Sequence, residues 1–184
     1  MCHVGPRHRR TPWGYSTTYI GHLDITPPLN AAEVEWLTAL AEWQGGPQGD
    51  VFTVPMNPRA VWSLAMAKAG GSIASSAPEG MPRGTTDWRP CLDGCRLEWD
   101  RIEKSNDAIP SIRFLVDHFL GPQALARDAG GDDFAAFSFD HALDGVIAAY
   151  RDDTEELFLI RAEDSRLSQE TVVAGSDPCA GLGW

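Results

Sequence analysis

Long apolar runs are missing from this sequence. No stretch approaches the roughly 18–20 apolar residues that a bilayer-spanning helix needs, so no membrane association is expected. Positive charge is scarce too: 15 Lys and Arg stand against 26 Asp and Glu, a formal net charge of −11. Proteins that grip nucleic acid neutralise phosphates with cations, so direct nucleic-acid binding is not expected. The acidity does leave open that the surface imitates nucleic acid in a basic groove of another protein. Cysteines number four, at positions 2, 91, 95 and 179. The basic start "MCHVGPRHRRTPWG" is followed by no apolar signal stretch, so a reducing cytoplasm and free thiols are expected. Neither a G-x-x-x-x-G-K-[S/T] nor a post-strand G-x-G-x-x-G phosphate loop occurs, nor any known nucleophile signature. No cofactor is expected.

What is present is patterned. Residues 1–14 read as a disordered leader. A single α+β domain is expected over 15–173, with a flexible Gly/Pro-rich insertion at about 44–86 and a tail over 174–184. In "YSTTYIGHLDITPPL", Tyr15, Thr17, Tyr19, Gly21, Leu23 and Ile25 alternate with mostly polar residues, the mark of a half-buried strand. Pro27 and Pro28 end it. "NAAEVEWLTALAEW" predicts a helix, with Asn30 and Glu33 as a capping box and Val34, Leu37, Leu40 and Ala41 as its apolar stripe. A short helix is expected in "NPRAVWSLAMAKAGG", between Asn57 and Gly70.

From Trp88 a hairpin turns through "LDG", with Gly94 in the left-handed conformation. "NDAIPSIRFLVDHFLGP" predicts a second helix. Asp107 caps it, Ile109, Ile112, Leu115, Val116 and Phe119 form its buried stripe, and Gly121-Pro122 stops it. Residues 134–164 read as a meander. Asp144-Gly145 there predicts a type I′ turn that pairs Leu143 with Val146, His141 with Ala148 and Phe139 with Tyr150. The fold expected is a two-layer α+β sandwich, a mainly antiparallel sheet with two principal helices packed on one face.

Cys91 and Cys95 offer two ligands where structural zinc takes four, so they are weak metal candidates and more simply face each other across the turn. Beyond them, Cys95, Leu97 and Trp99 share one strand face while Arg96, Glu98 and Asp100 share the other. After Trp99 the pattern breaks, and Arg101 and Glu103 take the inward positions, as when a strand overruns the core or bulges. Glu98, Asp100 and Glu103 could serve a hard cation or acid–base chemistry, or be neutralised by Lys104. His118, next to Asp117, sits at the edge of a helical stripe and reads as a boundary histidine satisfied by a backbone group or solvent. Asp140 and His141 are strand neighbours and point to opposite faces.

The motifs "GHLDITPPLNAAEVEWL", "LEWDRIEKSND…IRFLVDHFLGP" and "FSFDHALDG", in this order over roughly residues 15–165, resemble a family of small acidic proteins of actinobacteria and their bacteriophages. Trp99, Glu103 and Lys104 match its W-x-x-x-E-K element, Asp117 and His118 its D-H-F-L, and Asp140 and His141 its F-x-F-D-H. The chain departs from that pattern at "WRPCLDGC" and at Ser105-Asn106. The resemblance implies a phage or mobile-element setting, without an activity.

The leading expectation is a non-enzymatic cytoplasmic protein that binds a host or phage macromolecule, another protein, through Trp99, Asp100, Glu103 and Lys104. Its nucleic-acid-mimic version requires the carboxylates of residues 128–170 to form one continuous face. The alternative is a small hydrolase or transferase using Glu103, Lys104, His118, Asp140 and His141 at the end of the Trp99 strand. Oligomeric state is not encoded in any pattern read above.

Overall fold

The computed structural model describes residues 15–42, 87–101, 105–129 and 134–176. Its centre is a strand of ten residues, β1 (Thr17–Thr26), whose Thr17, Tyr19, Leu23 and Ile25 are buried as the alternation requires. The other strands are β2 (Trp88–Pro90), β3 (Arg96–Trp99), β4 (Ala142–Arg151), β5 (Leu157–Glu163) and β6 (Arg166–Val173). They form one sheet in the order β2-β3-β1-β4-β5-β6, with every pairing antiparallel.

Helix α1 (Ala31–Glu42) and helix α2 (Ala108–Leu115) supply the second layer. The expected capping box is present: the Asn30 Oδ1 accepts from the Ala32 and Glu33 amides, and the Glu33 Oε2 accepts from the Asn30 amide at 2.8 Å. Leu37 and Leu40 of α1 join Ile112, Phe114 and Leu115 of α2 over Leu23, Leu97, Leu143, Ile147 and Ile160 of the sheet, in one apolar core. Trp36 packs its ring tilted against Phe119 and edge-on to Phe134 and Phe137, at 4.5–5.9 Å between centroids, tying α1 to the chain beyond α2. Asp107 stands at the start of α2, but its side chain makes no capping bond; only its carbonyl is used, by the Ser111 amide. The last turn, Val116–Leu120, widens to a π-turn before Gly121, and a short helix α3 (Leu125–Ala129) follows. Among the described residues no helix is long and apolar enough to cross a membrane.

Three expectations are corrected. Asp144-Gly145 is not a hairpin turn: it lies inside β4, which pairs with β1 over ten consecutive residues from Thr17–Arg151 to Thr26–Ala142. Ala148 therefore faces Ile20 and Leu159, and Tyr150 faces Thr18 and Leu157, in place of His141 and Phe139. A two-residue turn would have satisfied a few pairs locally; the long partner offers a ladder over the whole segment. Residues 134–141 are consequently turns and extended chain with no ladder. Finally, the meander's last strand is β6, which the sequence pattern does not announce. Its residues are exposed on both faces except the half-buried Leu167, so no alternation marks it. The helix expected over 57–70, the leader and the end of the tail lie outside the described residues.

The hairpin between β2 and β3 differs in one detail from expectation. Cys91 pairs with Arg96 through a 2.9 Å bond from its amide, so the connection has four residues and includes Cys95. Gly94 is left-handed as expected, at φ +69. A Cβ there would stand 2.4 Å from the Leu29 carbonyl oxygen, so the turn is seated directly on the β1–α1 connection.

Candidate functional site

The site follows from a mismatch of strand lengths. β3 has four residues and meets β1 only at His22, Leu23 and Asp24. Beyond Trp99 the chain leaves the ladder, and Arg101 adopts a left-handed conformation at φ +58, one that bulky residues rarely take outside turns and functional sites. The split between β1 and the departing chain is a groove of about 530 Å³, lined by Thr18, Ile20, His22, Glu98, Trp99 and Arg101 among others. β3 ends at Trp99, and the groove opens beside that end.

Aromatic packing builds one wall. Tyr19 lies edge-on to Trp99 at 5.3 Å and to Trp88 at 5.4 Å between ring centroids. Burial drives the Tyr19 phenol up to about 12, although bonds from Thr17 and the Ala108 backbone pull the other way; Asp107 and Asp87 push it further up. Asp87 is itself raised by burial and by the Asp107 and Asp100 carboxylates, with the Ser105 hydroxyl opposing. Asp100 is engaged in an ion pair with Arg89 at 2.6 Å. The groove therefore carries one acid, one guanidinium and one imidazole on its open lip, backed by a protonated, apolar wall at neutral pH.

That wall gives a pH prediction. Since Tyr19 holds its proton more tightly folded than unfolded, its contribution is intact below pH 10 and is lost as pH rises towards 12. Stability should fall by roughly 2–3 kcal/mol over that interval through this group. Urea unfolding at pH 9 and 11.5 checks it: Tyr19→Phe should show a shallower alkaline decline than the parent.

Of the five residues of the enzyme alternative, His118, Asp140 and His141 are described, and His118 does not line the cavity that Asp140 and His141 share. Glu103 and Lys104 lie outside the described residues. His118 turns its Nδ1 to the Phe114 carbonyl at 2.8 Å and stacks on the Phe114 ring at 4.1 Å; burial lowers its pKa below the ordinary histidine value. Asp140 and His141 line a different cavity of about 660 Å³, with Asp117, Asp164 and Ser165. Asp140 points outward while His141 is buried, and their closest ion-pair distance is 3.9 Å.

His141 belongs to a network that no local pattern signalled. Its Nδ1–H donates to the Pro27 carbonyl at 2.7 Å, while its Nε2 lies 3.1 Å from the Glu33 Oε1 and 2.9 Å from the Ser138 Oγ. The Ser138 amide also donates to the Glu33 Oε1, at 2.7 Å. Acid and hydroxyl here share one ring nitrogen, whereas a catalytic triad sets them on opposite nitrogens. The arrangement ties α1 to the 134–141 segment and the chain after β1. It is a clamp, and Glu33 and Ser138 are the members that sequence reading missed: the capping box accounts for only one oxygen of Glu33, and Ser138 has no motif around it.

Cys91 and Cys95 bring their Sγ atoms to 3.6 Å. Among the described residues no group of three or more His, Cys, Asp and Glu side chains is placed to hold a metal ion, so the two sulfurs find no further ligands there. Comparison with protein-family models, with curated proteins and with solved structures finds no match to this chain.

Proposed function

We propose that this protein is a non-enzymatic binding protein, and that its binding surface is the outer face of the sheet continued into the groove beyond β3. The observation that carries this is the state of that face. Both helices cover the side bearing Leu23, Ile147 and Ile160. On the other side, Ile20 is 73% exposed, Val146 43% and Tyr150 44%. Register joins them: Ile20 sits opposite Ala148, which sits opposite Leu159, while Val146 faces His22 and Tyr150 faces Leu157. A contiguous exposed apolar area of this kind marks a contact surface. Ile20 also lines the groove, so the two features are continuous.

The partner is a protein presenting apolar side chains with basic groups around them. Asp24, Glu98, Asp144 and Glu163 lie exposed on this face, and the whole chain carries −11. Nucleic-acid mimicry is not part of the proposal. Of the described carboxylates in 128–170, Asp144, Glu163 and Asp164 lie at one end of β4 and β5 and Asp152, Asp153, Glu155 and Glu156 at the other, while Asp128 and Asp140 lie outside these strands and Glu170 is on β6. A strand rise of roughly 3.3 Å per residue separates Asp144 from Asp152 by about 26 Å. The phage or mobile-element setting belongs to the proposal through the sequence resemblance alone.

Ile20→Lys combined with Val146→Lys tests it. Both changes are on exposed positions, so the fold should be unaffected by circular dichroism. A partner captured from host lysate and then purified should bind the double variant at least about tenfold more weakly than the parent. Equal affinity would remove this face from the function.

A further inference from the structure

We propose that Cys91 and Cys95 form a redox-active dithiol that exchanges with low-molecular-weight disulfides and closes reversibly into a disulfide within the turn. The sulfurs stand 3.6 Å apart, so bond formation needs an approach of about 1.5 Å. Their backbone is held from both sides. The Cys91 amide donates to the Arg96 carbonyl and the Gly94 amide to the Cys91 carbonyl, each at 2.9 Å. Ile25 and Leu29 donate to the Cys95 and Gly94 carbonyls at 2.9 and 3.0 Å, anchoring the turn to β1 and its exit. The pair is therefore positioned before any oxidant arrives. Both thiols are half-exposed and free, and Leu92, between them in sequence, is 96% exposed, so the tip is open to a small disulfide.

The two sulfurs differ. Burial alone would push the Cys91 thiol up, but the hydrogen bond from Cys95 and the amides of Arg96, Cys95 and Asp93 outweigh it, and the net shift is below the ordinary cysteine value. Cys95, hydrogen-bonded to Cys91, is raised. The thiolate is the attacking species, which makes Cys91 the nucleophile and Cys95 the resolving thiol. In the first step the Cys91 thiolate attacks one sulfur of RSSR, forming Cys91–S–S–R and expelling RS⁻. Cys95 then gives up its proton, attacks the Cys91 sulfur and expels the second RS⁻. Both leaving thiolates take up protons. The protein dithiol loses two electrons and RSSR gains them, yielding two RSH.

The test uses the full chain carrying Cys2→Ser and Cys179→Ser, with oxidised glutathione as the probe. The peptide containing both remaining cysteines should lose the mass of two hydrogens and regain it with dithiothreitol. Cys95→Ser should trap glutathione on Cys91, and Cys91→Ser should react roughly tenfold more slowly than Cys95→Ser. Persistent glutathione on both cysteines of the parent, equal rates in the two variants, or no oxidation at all would each overturn the proposal. Should a variant misfold, alkylation of the parent at neutral pH decides the same point: Cys91 must be modified before Cys95.

Discussion

Replacing Glu33 with alanine is expected to destabilise the fold by roughly 3–5 kcal/mol, the cost of stripping the partner from a buried charged network. The carboxylate is 1% exposed, and each oxygen is used. Oε2 accepts the Asn30 amide, and Oε1 accepts the Ser138 amide and lies against the Ser138 hydroxyl and the His141 Nε2. Alanine leaves the Asn30 and Ser138 amides without this acceptor and removes the polar link between α1 and the 134–141 segment, leaving the Trp36 ring contacts with Phe134 and Phe137. Glu33→Gln, which keeps one acceptor oxygen, should cost less. Urea midpoints with an unchanged denaturant slope measure the difference; a Glu33→Ala loss below about 1 kcal/mol would mean the network is not a clamp.

The same residue sets an acid limb. Burial alone would raise the Glu33 carboxyl, but the donors from Ser138, Asn30 and His141 outweigh it and hold it below the ordinary carboxylate value. A folded-state pKa below the unfolded one contributes stability that is complete above about pH 4.3 and is lost as pH falls through the folded value. The gap between parent and Glu33→Ala should therefore narrow below pH 4, and a gap independent of pH would contradict the assignment.

Gly145→Ala is the second large expected effect, a loss of about 2–3 kcal/mol. Gly145 lies at φ +139, and an added Cβ would stand 3.1 Å from the His22 carbonyl oxygen and 3.5 Å from the Leu23 side chain. Strain and crowding both act, because Leu23, opposite Gly145 on the core face, occupies the room that the missing side chain leaves. Thermal unfolding reads the loss. Cross-strand NOEs in the parent identify its cause: contacts between Leu23 and Gly145 are expected, whereas a turn at this dipeptide would set Leu143 beside Val146.

Gly145 also shows where local reading stops. The alternation of residues 15–26 determined β1 and the face it buries, since a strand's period records which of its own side chains leave water. The Asn30–Glu33 spacing determined the start of α1, and the stripes of both helices determined a two-layer α+β fold. Alternation failing after Trp99 marked the end of β3. None of these needs knowledge of a distant partner. Asp144-Gly145 carries a strong hairpin signal, yet competition with a ten-residue ladder on β1 overrides it, and only the assembled sheet decides such a contest. β6 was illegible because an edge strand exposed on both faces imposes no pattern on its residues. Glu33 and His141, 108 positions apart, meet only after the 134–141 segment is laid across the start of α1. The sequence by itself determined β1, the two helices and the faces these elements bury. Tertiary structure decided which strands pair, where β3 lets go of β1, and which polar groups close a buried network, because those outcomes depend on free-energy differences between long-range alternatives that no local window contains.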